Sequence, residues 1–195
     1  YGEPDPPSAL AHILSHKYKL IDHGLVSGKF FLGSLGIGLI PELAENMQGR
    51  GMPRFSISWS RLAAQAAARV KPAALAVKMD AFRFEISPLM LNINLLPYSA
   101  SLPLTPASLF DDGKGEIIFD MGKGSAIFSN YVRSIYRKKY IYSDEIRMFR
   151  GNKISITPMA GQKVYIDGEI IEHGANEMTV DIFEKKIKVF YKAEG

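Results

Sequence analysis

The 195-residue sequence contains no cysteine. A disulfide scaffold, a thiolate zinc site and a cysteine nucleophile are therefore excluded. The composition suits a reducing compartment. It also lacks any run of about 18 apolar residues, the length a spanning helix needs. The longest candidate, Phe30–Ile40, is interrupted by Gly33, Gly36 and Gly38. No signal-peptide pattern is read at the opening residues. The glycine patterns GxGxxG, GxxxxGK[ST] and GxSxG are missing as well, so no nucleotide cradle is expected within these residues. The four histidines do not converge. His12 and His16 lie four apart on a predicted helix, but a zinc site needs a third ligand, for which His23 in the next predicted strand is the nearest candidate, and there is no HExxH pattern.

What is present is ordinary for a globular chain: 47% hydrophobic and 23% charged residues, which excludes a disordered polymer. At this length, folding removes roughly 70% of the unfolded surface from water, enough for a substantial core. The net charge of +4 is unevenly placed. Arg133, Arg137, Lys138, Lys139, Arg147, Arg150 and Lys153 face only Asp144 and Glu145 in the same window. This describes a local basic face better than a basic protein.

Along the chain, Ser8 is placed to cap a short helix reaching about Ser15. Lys19–Gly28 and Lys29–Gly38 read as glycine-punctuated strands, and Pro41–Met47 as a helical turn. The alanine-rich Arg61–Val70 is the strongest helix signal, opened by Ser58 or Ser60 and ended by Pro72. Val77–Ile86, Leu89–Leu96 and Glu116–Met121 read as strands, with the proline-marked loop Pro97–Asp112 among them. Ser125–Lys138 reads as a helix. The last third predicts strands at Tyr140–Phe149, Lys153–Pro158, Lys163–Ile166, Glu169–Glu172, Glu177–Phe183 and Lys185–Tyr191. Their spacing is that of a sandwich or barrel. The expected class is mainly β: an antiparallel β-sandwich or barrel-like lobe with two or three helices, α+β by content.

Two acidic motifs stand out. Asp111-Asp112-Gly113 closes the proline-marked loop; it suits either a capped β-turn or a hard cation held by carboxylate and turn carbonyls. Asp167-Gly168-Glu169 joins two predicted strands. It suits a hairpin turn, or a carboxylate aimed at a substrate hydroxyl as general base. The basic stretch interleaves Tyr131, Tyr136, Tyr140 and Tyr142. It suits single-stranded nucleic acid, an anionic lipid surface, or a solvated face over half-buried tyrosines.

The order of the motifs carries more than any one of them. Asn94-Leu-Leu-Pro97-Tyr98, then Pro106-Ala107, then Asp111-Asp112-Gly113, then Asp167-Gly168-Glu169 resembles the C-terminal lobe of the diacylglycerol kinase catalytic family, especially its bacterial lipid kinases and their sphingosine kinase relatives. Pro4-Asp5-Pro6 before a short helix resembles the segment after that family's Gly-Thr-x-Asn motif. Two positions depart from the pattern. Ser99-Ala100-Ser101 follows Tyr98 where the family often has Tyr-Gly-Gly, and Glu116 stands where an Asp is more usual.

The resemblance implies that residues 1–195 form a single domain, the acceptor-side lobe of a two-lobed lipid kinase whose N-terminal nucleotide-binding lobe lies elsewhere. ATP would be held mainly by that missing lobe, with no nucleotide-binding residue in this chain, and the acceptor would be a lipid alcohol. Asp112 would hold Mg²⁺ with the backbone carbonyls of Leu109 and Lys114, and Asp111 would support that loop. Glu169, with Asp167 beside it, would receive the hydroxyl proton. Arg133, Arg137, Lys138, Lys139, Arg147 and Arg150 would face an anionic membrane, giving a cytoplasmic protein peripheral on the inner membrane face. Nucleic acid is not an expected partner. The competing expectation is a non-catalytic β-sandwich that binds lipid or protein. For catalysis, the two acidic tips must face one crevice.

Overall fold

A computed structural model describes residues 6–47, 57–100, 102–121 and 145–191. The predicted helix at Ser125–Lys138, the start of the predicted strand at Tyr140, and Arg133, Arg137, Lys138, Lys139, Tyr131, Tyr136, Tyr140 and Tyr142 lie outside them.

Among the described residues, twelve strands form two antiparallel six-stranded sheets. Sheet A runs β2 (Lys29–Phe31), β1 (Tyr18–Val26), β12 (Met178–Phe190), β9 (Lys153–Thr157), β4 (Leu75–Met79), β5 (Phe82–Ile86). Sheet B runs β11 (Glu169–Glu172), β10 (Lys163–Ile166), β3 (Ser34–Gly38), β6 (Met90–Asn94), β7 (Gly115–Asp120), β8 (Ile146–Gly151). Each sheet is open, with β2 and β5 or β11 and β8 at its edges, so the lobe is a sandwich and the barrel alternative is not adopted.

The core lies between the sheets. Val26, Phe31, Val77, Ile154 and Val180 from sheet A meet Leu35, Leu91, Ile93, Ile117 and Val164 from sheet B. Burying each such side chain stabilises the fold by roughly 1.5–3 kcal/mol. Sheet B has a second apolar layer on its outer face. There α2 (Leu39–Met47) and α3 (Ile57–Arg69) bring Leu39, Ile40, Leu43, Ala63, Ala66 and Ala67 onto Met90, Ile118 and Tyr165. Covered on both faces, β6 and β7 are buried along their whole length, and successive apolar residues such as Met90-Leu91 and Ile117-Ile118 fall in different apolar layers. Gly36 of β3 lets α2 approach: a Cβ there would lie 2.8 Å from Ile40. The third helix, α1 (Pro6–Leu14), leads into β1.

Four readings need correction. Lys29–Gly38 is two strands, β2 and β3, divided at Leu32-Gly33, and they belong to different sheets. Val77–Ile86 is the hairpin β4–β5, turned at Asp80 with φ of 48°. Glu177–Phe183 and Lys185–Tyr191 are one long strand, β12, which passes through Lys185 at φ 48°. Pro41–Met47 belongs to a nine-residue helix beginning at Leu39.

Candidate functional site

One end of sheet B gathers both acidic motifs. Across neighbouring strands, Ser34 pairs with Asn94, Asn94 with Glu116, and Glu116 with Arg150. The Asp167 amide donates to the Ser34 carbonyl at 3.0 Å, which places the β10–β11 turn at the same row. The loop carrying Asp111 and Asp112 enters this row just before β7. Three inter-strand spacings separate β10 from β7, or about 14 Å. The tips therefore share a rim without touching.

The β10–β11 turn follows from its Asp-Gly pair. Asp167 and Gly168 take φ of 46° and 109°, the positive values that a two-residue hairpin turn needs. The Asp167 carboxylate accepts three backbone N–H bonds from the β2–β3 connection: Leu32 at 2.6 Å, Gly33 at 2.9 Å and Ser34 at 2.7 Å. This side chain is fully occupied in joining two turns. Glu169 differs: its side chain is 75% exposed, and Lys29 Nζ of sheet A lies 3.4 Å from Oε2. Because Glu169 pairs with the core residue Ile166, it leans toward sheet A. Its carboxylate sits in solvent beside the partly exposed Lys29 ammonium.

The other tip is held by a residue that motif reading misses. Asp22, 1% exposed on β1, accepts N–H bonds from Gly113 at 2.7 Å and from Lys185 at 2.8 Å. Its own amide donates to the Phe110 carbonyl at 2.7 Å. One buried carboxylate thus fastens the 110–113 loop to the irregular middle of β1 and β12. The available signal was an acid inside an otherwise strand-like Lys19–Gly28.

Asp112 forms an ion pair with the Arg150 guanidinium, and its Oδ1 accepts from the Lys114 amide at 3.2 Å. The Nε of Arg150 also reaches Glu116 Oε1 at 3.1 Å. Glu116 is buried, and among the described residues its Oε2 has no hydrogen-bond partner. Burial pushes its carboxyl above the usual value of 4.5, against the opposing pull of the Ser108 hydroxyl and Arg150; the nearby Asp112 adds to the rise.

These contacts do not fit the expected Mg²⁺ site. The charge on Asp112 is already neutralised by Arg150, and no three His, Asp or Glu side chains converge among the described residues. They also alter the expected basic face. Arg150 is turned toward this acidic pair, with its side chain still partly exposed. Arg147 is exposed on β8 and donates to the Ile146 carbonyl at 3.1 Å. Leu109 is half exposed beside the loop. Among the described residues, no helix is long and apolar enough to cross a membrane.

The pairing has a pH signature. Glu116 is harder to ionise in the folded chain than in the unfolded one, so its ionisation weakens folding as pH rises above about 4.5, until the folded carboxyl has titrated. Arg150→Gln removes the cation that limits this cost. Because Arg150 is itself partly exposed, the expected loss is moderate, about 1–3 kcal/mol at pH 7. It should shrink at pH 4, where Glu116 is largely protonated in both states. Thermal melts at the two pH values read the difference; an equal loss at both would contradict the assignment.

No protein-family model and no curated protein matches the sequence. Solved structures do. Two from Bacillus anthracis str. Sterne, provisionally described as diacylglycerol kinases, superpose with TM-scores of 0.71 and 0.69 at 17% and 21% identity. A third from the same organism, described as a diacylglycerol kinase, gives 0.60 at 15%. All three matches cover 93% of this chain but only 57–60% of the other. The chain therefore has the fold of these kinase-named structures, over about three-fifths of their length.

Proposed function

We propose that this chain is the acceptor-side lobe of an ATP-dependent lipid kinase, a phosphotransferase acting on a lipid hydroxyl. The observation that carries the reading is the shared rim, where an exposed carboxylate at Glu169 and the fastened 110–113 loop border one end of the sandwich. The fold likeness supports it.

On this reading, Glu169 accepts the hydroxyl proton as the oxygen attacks the γ-phosphorus, the bond from that phosphorus to the β–γ bridging oxygen breaks and ADP leaves with that oxygen; Lys29 steadies the carboxylate until then. One positioned carboxylate is sufficient, because phosphoryl transfer depends mostly on alignment and charge neutralisation. Asp167 acts as a positioning residue. By holding the β2–β3 turn through three N–H bonds, it fixes where the neighbouring Glu169 emerges. ATP is supplied by a nucleotide-binding lobe outside these residues. No step is assigned to a metal on Asp112, whose partner is Arg150.

The test uses the complete two-lobed protein, labelled ATP and a panel of lipid alcohols in neutral detergent micelles. Phosphate should appear on at least one alcohol and not on its O-methyl ether. Lipid binding without transfer anywhere in the panel would overturn the proposal in favour of a non-catalytic binding module.

A further inference from the structure

Sheet A ends on β5, Phe82–Ile86, whose one paired neighbour among the described residues is β4. The strand alternates. Phe84 and Ile86 pack against the core between the sheets, and Phe84 stacks on Phe119 and Phe149 of sheet B with ring centres 5.4 and 5.3 Å away. Arg83 and Glu85 are exposed on the opposite, outer face. Across β4, Arg83 faces Lys78, a like charge, and Glu85 faces Ala76.

The backbone bonds of this hairpin follow from its turn. Met79 pairs with Phe82 around Asp80-Ala81. The Asp80 amide donates away from β5, to the Lys153 carbonyl of β9 at 3.1 Å. The neighbouring Met79 groups therefore face β5, and the ladder continues at alternate residues, Phe84 and Ile86. The N–H and C=O groups of Arg83 and Glu85 are left on the free edge. Other edges of the sandwich are blunted. β2 has three residues, and β11 carries Glu169 and Glu172 at its ends. β5 has five residues and no proline, lysine or bulge.

We infer that β5 is the joint of a two-fold dimer, in which two copies of this chain pair their β5 strands antiparallel and continue sheet A from one copy into the next. The occupant is a second copy because the strand is complementary to itself. Edge groups bond only when Arg83 and Glu85 meet residues of the same outward set, so the register centres on Arg83, Phe84 or Glu85. Centring on either charged residue sets two like charges directly opposite each other, which is unfavourable. Centring on Phe84 sets Arg83 against the partner's Glu85 and Glu85 against the partner's Arg83. Both of these pairs are hydrogen-bonded, and the two Phe84 rings come together on the core face. The aromatic stack already orders β5, which lowers the entropy cost of pairing. Lys29, which faces Glu169, lies on β2 at the opposite edge of sheet A, so the joint leaves the exposed acid uncovered. The inference does not depend on the kinase reading.

The experiment is sedimentation velocity of the complete protein over the micromolar range, with Tm recorded for each variant. The wild type should pass from one chain to two with rising concentration and stop there, because a two-fold joint closes. Arg83→Glu opposes acids across the joint and should raise the dimer Kd about 100-fold or more. It sets an acid against Lys78, so Tm should not fall. Glu85→Arg should dissociate the dimer in the same way. Mixing these two single variants, each monomeric alone, should restore a two-chain species, since every pair across the joint is then of opposite charge. Glu85→Pro removes an edge N–H that β4 does not use and should also leave a folded monomer. A wild type that stays monomeric throughout overturns the joint. So does an Arg83→Glu variant that dimerises like wild type, or a mixture of the two folded variants that remains monomeric.

Discussion

Asp22→Ala should lower the stability of the lobe by about 3–5 kcal/mol, the largest loss expected from one polar residue here. Its carboxylate makes two charge-assisted bonds to the Gly113 and Lys185 amides, each worth roughly 1.5–3 kcal/mol. Alanine supplies no acceptor and is too small to draw the loop inward. The amides are left facing a gap formerly filled by the buried side chain. For a chain of this size the loss corresponds to a fall in Tm of about 10 °C or more. Calorimetry of the complete protein reads it as earlier melting of the transition that contains this lobe. A fall under about 2 °C would mean that the 110–113 loop is held by something else. Because the same bonds place Asp112 and the mouth of β7, activity should fall with stability even though Asp22 lies beneath the surface.

How much of this was legible in the sequence depends on the range of the interactions involved. The β10–β11 hairpin was read to the residue, because its Asp-Gly turn and the short apolar runs flanking it are local. The mostly apolar Leu89–Leu96 likewise announced a strand covered on both faces, and the structure supplies the cover of β6 as a second sheet and the α2–α3 layer. Where a turn is made by an ordinary residue, reading failed. Asp80 at φ 48° reverses the chain within what looked like one alternating strand. Lys185, in a Glu-Lys-Lys run that resembled a break, is carried straight through β12 by the Asp22 bond to its amide.

The site was legible as motifs but not as roles. Asp167 was grouped with Glu169 because they are adjacent, yet three backbone bonds commit the first to architecture while the second stands in solvent. Arg150 was counted among membrane-facing cations by its place in a charge window. Its actual partners, Asp112 and Glu116, are 38 and 34 positions away, and strand register, invisible in composition, brings them together. Asp22 could be seen only as an acid out of place in a strand.

The central claim is that the exposed acid at the rim receives the acceptor's proton, and Glu169→Gln in the complete two-lobed protein tests it most directly. The substitution preserves shape and removes the basic oxygen. It breaks only an exposed ion pair with Lys29, which contributes little to stability. Loss of a positioned general base typically costs about 10²–10⁴-fold in rate. The measurement is the single-turnover rate of phosphate transfer to a lipid alcohol, with lipid KM and Tm recorded alongside. The expected result is a rate reduced at least about 100-fold, with KM and Tm near wild type. A rate within a factor of about three of wild type would remove Glu169 from proton transfer and contradict the assignment of this rim as the catalytic face.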